Sequence, residues 1–173
     1  MKKSLYLSLF LGIISIIAAI ILSVTNNMTK GIIEQSNIKK KNTQLSSMFN
    51  TNTVFTEGKV GEGYKTIENV YVAKENDKII GYVYEVKTKG YAGVIKYLVA
   101  LNNEGKYIAF ESLLHNETPG FGTKMDEPLF KEQFKKKNIN DDIDGLSGAT
   151  ITTKGLFAGF DEVVEHFEKN YKK

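Results

Sequence analysis

The chain has 173 residues and a formal net charge of +3, and all 23 of its basic residues are Lys. Without Arg it lacks the usual bidentate reader of phosphates and guanines, which argues against nucleic-acid binding. There is no Cys and only His115 and His166, so disulfides, thiolate nucleophiles, iron–sulfur ligation and zinc–thiolate sites are excluded and a His-rich metal site is not expected.

Ser4 to Val24 form an uncharged, mostly apolar run long enough to cross a bilayer. Lys2 and Lys3 precede it and Thr25-Asn26-Asn27 follow. The positive-inside tendency places the N-terminus in the cytoplasm and the rest of the chain outside. A cleavable signal peptide is the competing reading. The run is longer than a usual signal core, and Ser23-Val24-Thr25 matches an Ala-x-Ala site poorly, which favours a retained anchor. Residues 1–28 are read as cytoplasmic tip and transmembrane anchor, 29–63 as a connector, and 64–173 as the functional domain.

Thr29 to Asn50 is polar, with Ile32, Ile33, Ile38, Leu45 and Phe49 on a weak helical stripe. Asn50 to Gly63 reads as a loop. Glu68 to Lys74, Ile79 to Thr88, Val94 to Asn102 and Lys106 to Leu114 are rich in β-branched and aromatic residues and predict strands. Asn76-Asp77 and Asn102-Asn103-Glu104-Gly105 separate them as hairpin turns. The alternation of Tyr82, Tyr84 and Val86 predicts one buried face and a more polar opposite face. Pro128 suits the first turn of a helix running to about Lys137, with Leu129, Phe130 and Phe134 toward the core. From about Thr153 to Tyr171, Leu156, Phe160, Val163, Val164 and Phe167 follow a helical period. Thr152 and Thr153 are candidate caps for that helix. His166 falls in it, with surface or half-buried packing as its default role. Lys39-Lys40-Lys41 and Lys135-Lys136-Lys137 read as solvated helix faces. The fold class is α+β: a mainly antiparallel sheet with packed helices, preceded by one N-terminal transmembrane helix.

Three loops stand apart from this frame. Gly90-Tyr91-Ala92-Gly93 is a glycine-rich turn between strands. In His115-Asn116-Glu117-Thr118-Pro119-Gly120-Phe121-Gly122, Pro119 restricts Thr118 to an extended conformation, and Gly120 and Gly122 permit positive φ. Phe121 offers a flat wall to a planar ring. Glu117 is read as anchoring the loop through backbone N–H groups, and His115 as a strand-end packing residue or a neighbour of a bound ring. Asp144-Gly145-Leu146-Ser147-Gly148-Ala149-Thr150 puts turn formers just before an amphipathic helix. A helix start of this kind suits an anion. Ser147 and Gly148 keep the approach open and the turn tight. Asp144 either closes an Asx-turn or faces a partner protein.

The heptapeptide 144–150 resembles the flavinylation motif of FMN-binding domains in respiratory membrane complexes. The His115–Gly122 block is similar to that family's second hallmark, with Phe121 where the family often has Leu, and the Gly90–Gly93 turn to its third. Their order matches too. The resemblance is to the G subunit of Rnf-type electron transport complexes and, as a sister family, to the C subunit of the sodium-translocating NADH:quinone oxidoreductase. It implies FMN joined through its phosphate to Thr150. It implies cofactor contacts from Ser147, Gly148, Ala149, Thr118, Pro119, Gly120, Phe121, Gly122, Tyr91 and Gly93. Its implied partners are other integral-membrane and iron–sulfur subunits and the lipid bilayer. A Thr hydroxyl is a poor nucleophile unless a base activates it, and the motif contains none, so a separate flavin transferase is expected. Two alternatives stay open: a single-pass extracytoplasmic FMN-binding protein outside such a complex, and a surface binding module without flavin. A lipid-anchored variant is excluded, because acylation needs a Cys.

Overall fold

The computed structural model describes residues 2–49 and 52–172, without the side chains of 2–5, 27, 30–35, 37 and 136. Ile32 and Ile33 of the predicted stripe, Lys136, and Asn50 and Thr51 at the start of the predicted loop therefore lie outside what is described. The chain forms two compact units, 1–40 and 41–173. One helix, α1 (Lys2–Met48), supplies nearly all of the first. Its Tyr6–Asn26 stretch has a mean hydropathy of 2.8, and among the described residues it is the one helix long and apolar enough to cross a membrane. Hydroxyls do not interrupt it, because Ser15 and Thr29 each donate to the carbonyl four residues back.

The second unit is built on an antiparallel meander in the order β1-β2-β3-β4-β5. Its strands are β1 (Val54–Glu57), β2 (Ile67–Glu75), β3 (Lys78–Lys89), β4 (Val94–Asn102) and β5 (Tyr107–Leu114). The last four fall where the β-branched runs predict them. Asn76 and Asp77 both take positive φ, 48° and 61°, as a tight two-residue hairpin demands. β1 replaces part of the predicted loop. Its four residues lie in a Thr/Asn/Gly-rich stretch and become a strand by pairing Val54 with Lys74 and Glu57 with Tyr71. After the sheet come α2 (Pro128–Glu132), flanked by 3₁₀ segments Gly122–Asp126 and Gln133–Lys136, and then α3 (Thr150–Asn170).

Tyr82, Tyr84 and Val86 share one face with Tyr97, Val99 and Phe110 and are covered by Phe134, Leu156, Phe160 and Val163. The opposite face is not the polar one expected. Val83, Leu98, Ala100 and Leu113 are buried there under Leu45 and Met48. Ile38 of the same predicted stripe is exposed. The end of α1 needs a second apolar face to pack on, and alternation within one strand does not reveal that cover. Within this second core Glu85 Oε2 accepts from Asn69 (2.8 Å), Tyr71 (3.0 Å) and Lys41 (3.2 Å). Burial pushes the Glu85 carboxyl up, but the Asn69 hydrogen bond and the Lys41 charge prevail and hold it below the ordinary range. Lys41 is thus a partner of a buried carboxylate, not a solvated lysine.

Three further expectations need correction. Leu129 is 84% exposed. Phe130 and Phe134, four residues apart, share the inward face, and Leu129, about 100° around the turn from Phe130, points out. His166 is fully buried, with Nδ1 3.1 Å from Tyr84 Oη and Tyr64 edge-on to its ring. Burial lowers its imidazole below the usual value, since the neutral ring is the form that survives desolvation. Lys137 reaches Asp142 O and Asp144 Oδ2 rather than lying free in solvent.

Candidate functional site

The three singled-out loops meet at the N-terminal end of α3. Gly148 turns the chain at φ +80°, and Ala149 is the residue before the first helical turn. α3 begins at Thr150 itself, earlier than the periodicity indicates. Thr152 and Thr153 are therefore inside the helix and are not its caps. Thr153 Oγ1 instead accepts the Leu146 N–H at 2.9 Å, and buried Leu146 pins the heptapeptide to the core. Ala149 has no side-chain oxygen to cap the helix, and no side-chain cap is made. The first-turn N–H groups of α3 are thus without a side-chain cap, at the positive end of the helix dipole.

Glycines bring this end of α3 onto the sheet. A Cβ on Gly155 would overlap the Lys89 carbonyl, and one on Gly159 would lie 2.6 Å from Val86 Cγ1. The close approach sets the helix start beside the Gly90–Gly93 turn, where Gly93 takes φ +139°. Gly120 has φ +75°, as expected for this loop. Gly122 does not use a positive φ; it is needed because a Cβ there would lie 2.6 Å from Glu117 Cβ.

A cavity of about 410 Å³ opens between these segments. Thr150, Gly148 and Ala149 line it from one side, Thr118, Phe121 and Gly122 from another, and Tyr91 from the third. Glu117, Ile151 and Thr152 complete the wall. Ser147, Pro119, Gly120 and Gly93 are not on it. Ser147 faces a second cavity of about 570 Å³ on the other side of the heptapeptide, with Lys124, Leu129, Gln133 and Asp144. That larger cavity does not contain Thr150, so the smaller one is the candidate site. Tyr91, Phe121 and Ile151 are 67%, 51% and 54% exposed, a concentration of accessible apolar surface at the mouth of a polar-backed pocket.

Several contacts carry the site that residue patterning does not pick out. Lys124 Nζ donates to Ser147 O at 3.0 Å and tethers the heptapeptide to the Thr118–Gly122 loop. Glu117 Oε1 accepts the Ala92 N–H at 2.9 Å, and Oε2 accepts the Thr152 hydroxyl at 2.5 Å. His115 is a largely buried residue at the end of β5 and is not on the cavity wall; its Nε2 lies 2.8 Å from Asp126 Oδ2. Burial raises the Asp126 carboxyl, but hydrogen bonds from Ser112 and His115 outweigh it and leave the group below its ordinary value. Asp144 keeps its side chain largely in solvent and is held through its N–H to Gln133 Oε1 at 2.7 Å. The glycine pair four residues apart in α3 is the one sequence signal for the close packing. Nothing local marks Lys124, and Thr152 reads in sequence only as a helix cap.

Residues 90–165 match the FMN-binding domain family. The chain is 32% identical over 168 residues to the G subunit of the proton-translocating ferredoxin:NAD⁺ oxidoreductase complex of Clostridium ljungdahlii, covering 90% of this chain and 86% of that one. It is 26% identical over 188 residues to the G subunit of the Na⁺-translocating ferredoxin:NAD⁺ oxidoreductase complex of Acetobacterium woodii, covering 94% and 90%. A solved structure of the C subunit of the Na⁺-translocating NADH-quinone reductase from Parabacteroides distasonis shares the fold, with a TM-score of 0.52 and 23% identity over 61% of this chain and 63% of that one.

Proposed function

This chain belongs to the G-subunit family of ion-translocating oxidoreductase complexes, and we propose on that premise that it relays electrons within such a complex through FMN carried on Thr150. The observation that supports this reading best is the position of Thr150. It is the first residue of α3 and stands on the wall of the cavity that all three loops share. The residues present fit the group. The uncapped first turn of α3 offers N–H donors to a phosphate. Tyr91, Phe121 and Ile151 offer apolar surface to a planar ring, and the cavity is of ligand size. When bound, FMN supplies the electron-accepting ring; the protein supplies orientation and electrostatics.

In this reading Thr150 Oγ1 bears the phosphoester, and Gly148 and Ala149 leave room beside it. A separate flavin transferase makes the bond, because an isolated Thr hydroxyl needs a base to become nucleophilic. Residues 1–28 anchor the chain, 29–63 connect and add β1 and the end of α1 to the sheet, and 64–173 form the rest of the FMN domain. The N-terminus lies in the cytoplasm and the FMN domain outside, following Lys2 and Lys3. The partners are the integral-membrane and iron–sulfur subunits of the complex.

Co-expression with a flavin transferase, followed by intact-mass measurement and peptide mapping, tests the attachment. One FMN is expected on the peptide containing Thr150, and the denatured protein should stay yellow. A Thr150→Ala variant that still carries covalent flavin would refute the assignment, and modification at Thr152 or Thr153 would move it.

A further inference from the structure

Glu117 is the point at which the three loops are tied together. The residue is 5% exposed. One carboxylate oxygen holds the turn that carries Tyr91, through the Ala92 N–H, and the other holds the first turn of α3, through Thr152 two residues beyond Thr150. The backbone is shaped around it. A Cβ on Gly90 would overlap Oε1, and a Cβ on Gly122 would lie 2.7 Å from Oε2. The Glu117 side chain thus explains glycine at 122 and, together with Ile95, whose Cδ1 a Cβ would approach to 2.5 Å, at 90. The same group lies on the wall of the cavity that contains Thr150. An ionised carboxylate accepts and does not donate, and the Ala92 N–H and the Thr152 hydroxyl are both donors.

We propose that Glu117 is a positioning residue that locks Thr150 and the Tyr91 turn in place and, from the cavity wall, lays a fixed negative charge beside the bound flavin that lowers its reduction potential. The proposal rests on the reading that FMN occupies this cavity from Thr150. A buried charge acts strongly in a low-dielectric wall, and a negative one opposes the addition of electrons to a neighbouring ring. The Ala92 and Thr152 hydrogen bonds partly offset it, so removing a donor and removing the charge should move the potential in opposite directions.

The test uses the full chain, flavinylated by co-expression with a transferase and purified in detergent, with the midpoint potential of its flavin measured by spectroelectrochemistry. Glu117→Gln keeps the shape and one acceptor but loses the charge, and its potential should rise. Thr152→Val keeps the charge but loses a donor, and its potential should fall. Thr152→Ser restores the hydroxyl and should return the potential to that of the unaltered protein. Glu117→Ala should also slow flavinylation several-fold at fixed transferase concentration, since the α3 start is no longer tied. Potentials that stay put in both Glu117→Gln and Thr152→Val, or that shift in the same direction, overturn the proposal. If Glu117→Gln does not fold, a Thr152→Val potential that fails to fall overturns it alone. Absence of covalent FMN from Thr150 in the unaltered protein would instead overturn the attachment reading.

Discussion

Gly159→Ala is the substitution that best tests how α3 is seated on the sheet. In an exposed helix it would stabilise by about 1 kcal/mol through helix propensity. Here the new Cβ would overlap the Tyr97 hydroxyl and lie 2.6 Å from Val86 Cγ1 and 3.0 Å from Thr88 Cγ2. Tyr97 is fully buried, and its hydroxyl donates to Leu156 O at 2.9 Å. Over-packing a dense core costs about 1–3 kcal/mol. A displaced Tyr97 hydroxyl left without an acceptor costs about 1–3 kcal/mol more. These terms outweigh the propensity gain, and the net expectation is a loss of about 3 kcal/mol. Urea titration of the full chain in detergent, followed by near-ultraviolet circular dichroism of the buried tyrosines, measures it. Repeating the substitution in a Tyr97→Phe background removes the nearest obstacle, so the cost there should fall by about 1 kcal/mol or more. The seating argument fails if Gly159→Ala is neutral or stabilising. It also fails if the cost is the same in both backgrounds, because the Tyr97 hydroxyl would then not be what limits the approach.

Glu85→Gln should destabilise the domain by about 2 kcal/mol, because it leaves Lys41 facing a second core without its counter-charge; the same urea titration reads it. The Glu85 carboxyl is held low in the folded state, so its contribution is complete above the unfolded carboxylate value of about 4.3 and is lost as pH falls through the lower folded value. The acid limb of a stability–pH profile should therefore be shallower in Glu85→Gln than in the unaltered protein. Gly120→Val meets no atom within 4 Å but forces a β-branched residue to φ +75°, at a cost of about 1–3 kcal/mol. It should still fold and accept FMN, with a shifted flavin spectrum and weaker electron relay, and an unchanged spectrum, potential and turnover would mean that this loop is an ordinary turn. A C-terminal phosphatase fusion that works only outside the cytoplasm should be active and a cytoplasm-dependent fluorophore fusion dark; the reverse pattern would invert the topology.

The apolar run of 21 residues, the four long strands and the amphipathic register of α3 are local properties, and local patterning is enough to read them. These strands, eight to twelve residues long, are enriched in β-branched and aromatic side chains that fit a pleated, half-buried surface. The heptapeptide ending at Thr150 and the Glu117–Gly122 block were legible for a different reason: their residue types resemble a known site, and the cofactor followed from that resemblance. Tertiary structure decided the rest. β1 exists only because β2 offers an edge, and the second core only because the end of α1 covers the far face of the sheet. Leu129 turned outward because the Phe130/Phe134 face of the short helix is the one the core takes. His166 went inside because two tyrosines from distant segments close over it. Glu117, a polar residue in a loop, reads in sequence as an anchor of its own loop. Its bonds to Ala92, 25 residues before it, and Thr152, 35 after, depend on chain closure over the sheet, a distance across which residue periodicity carries no information.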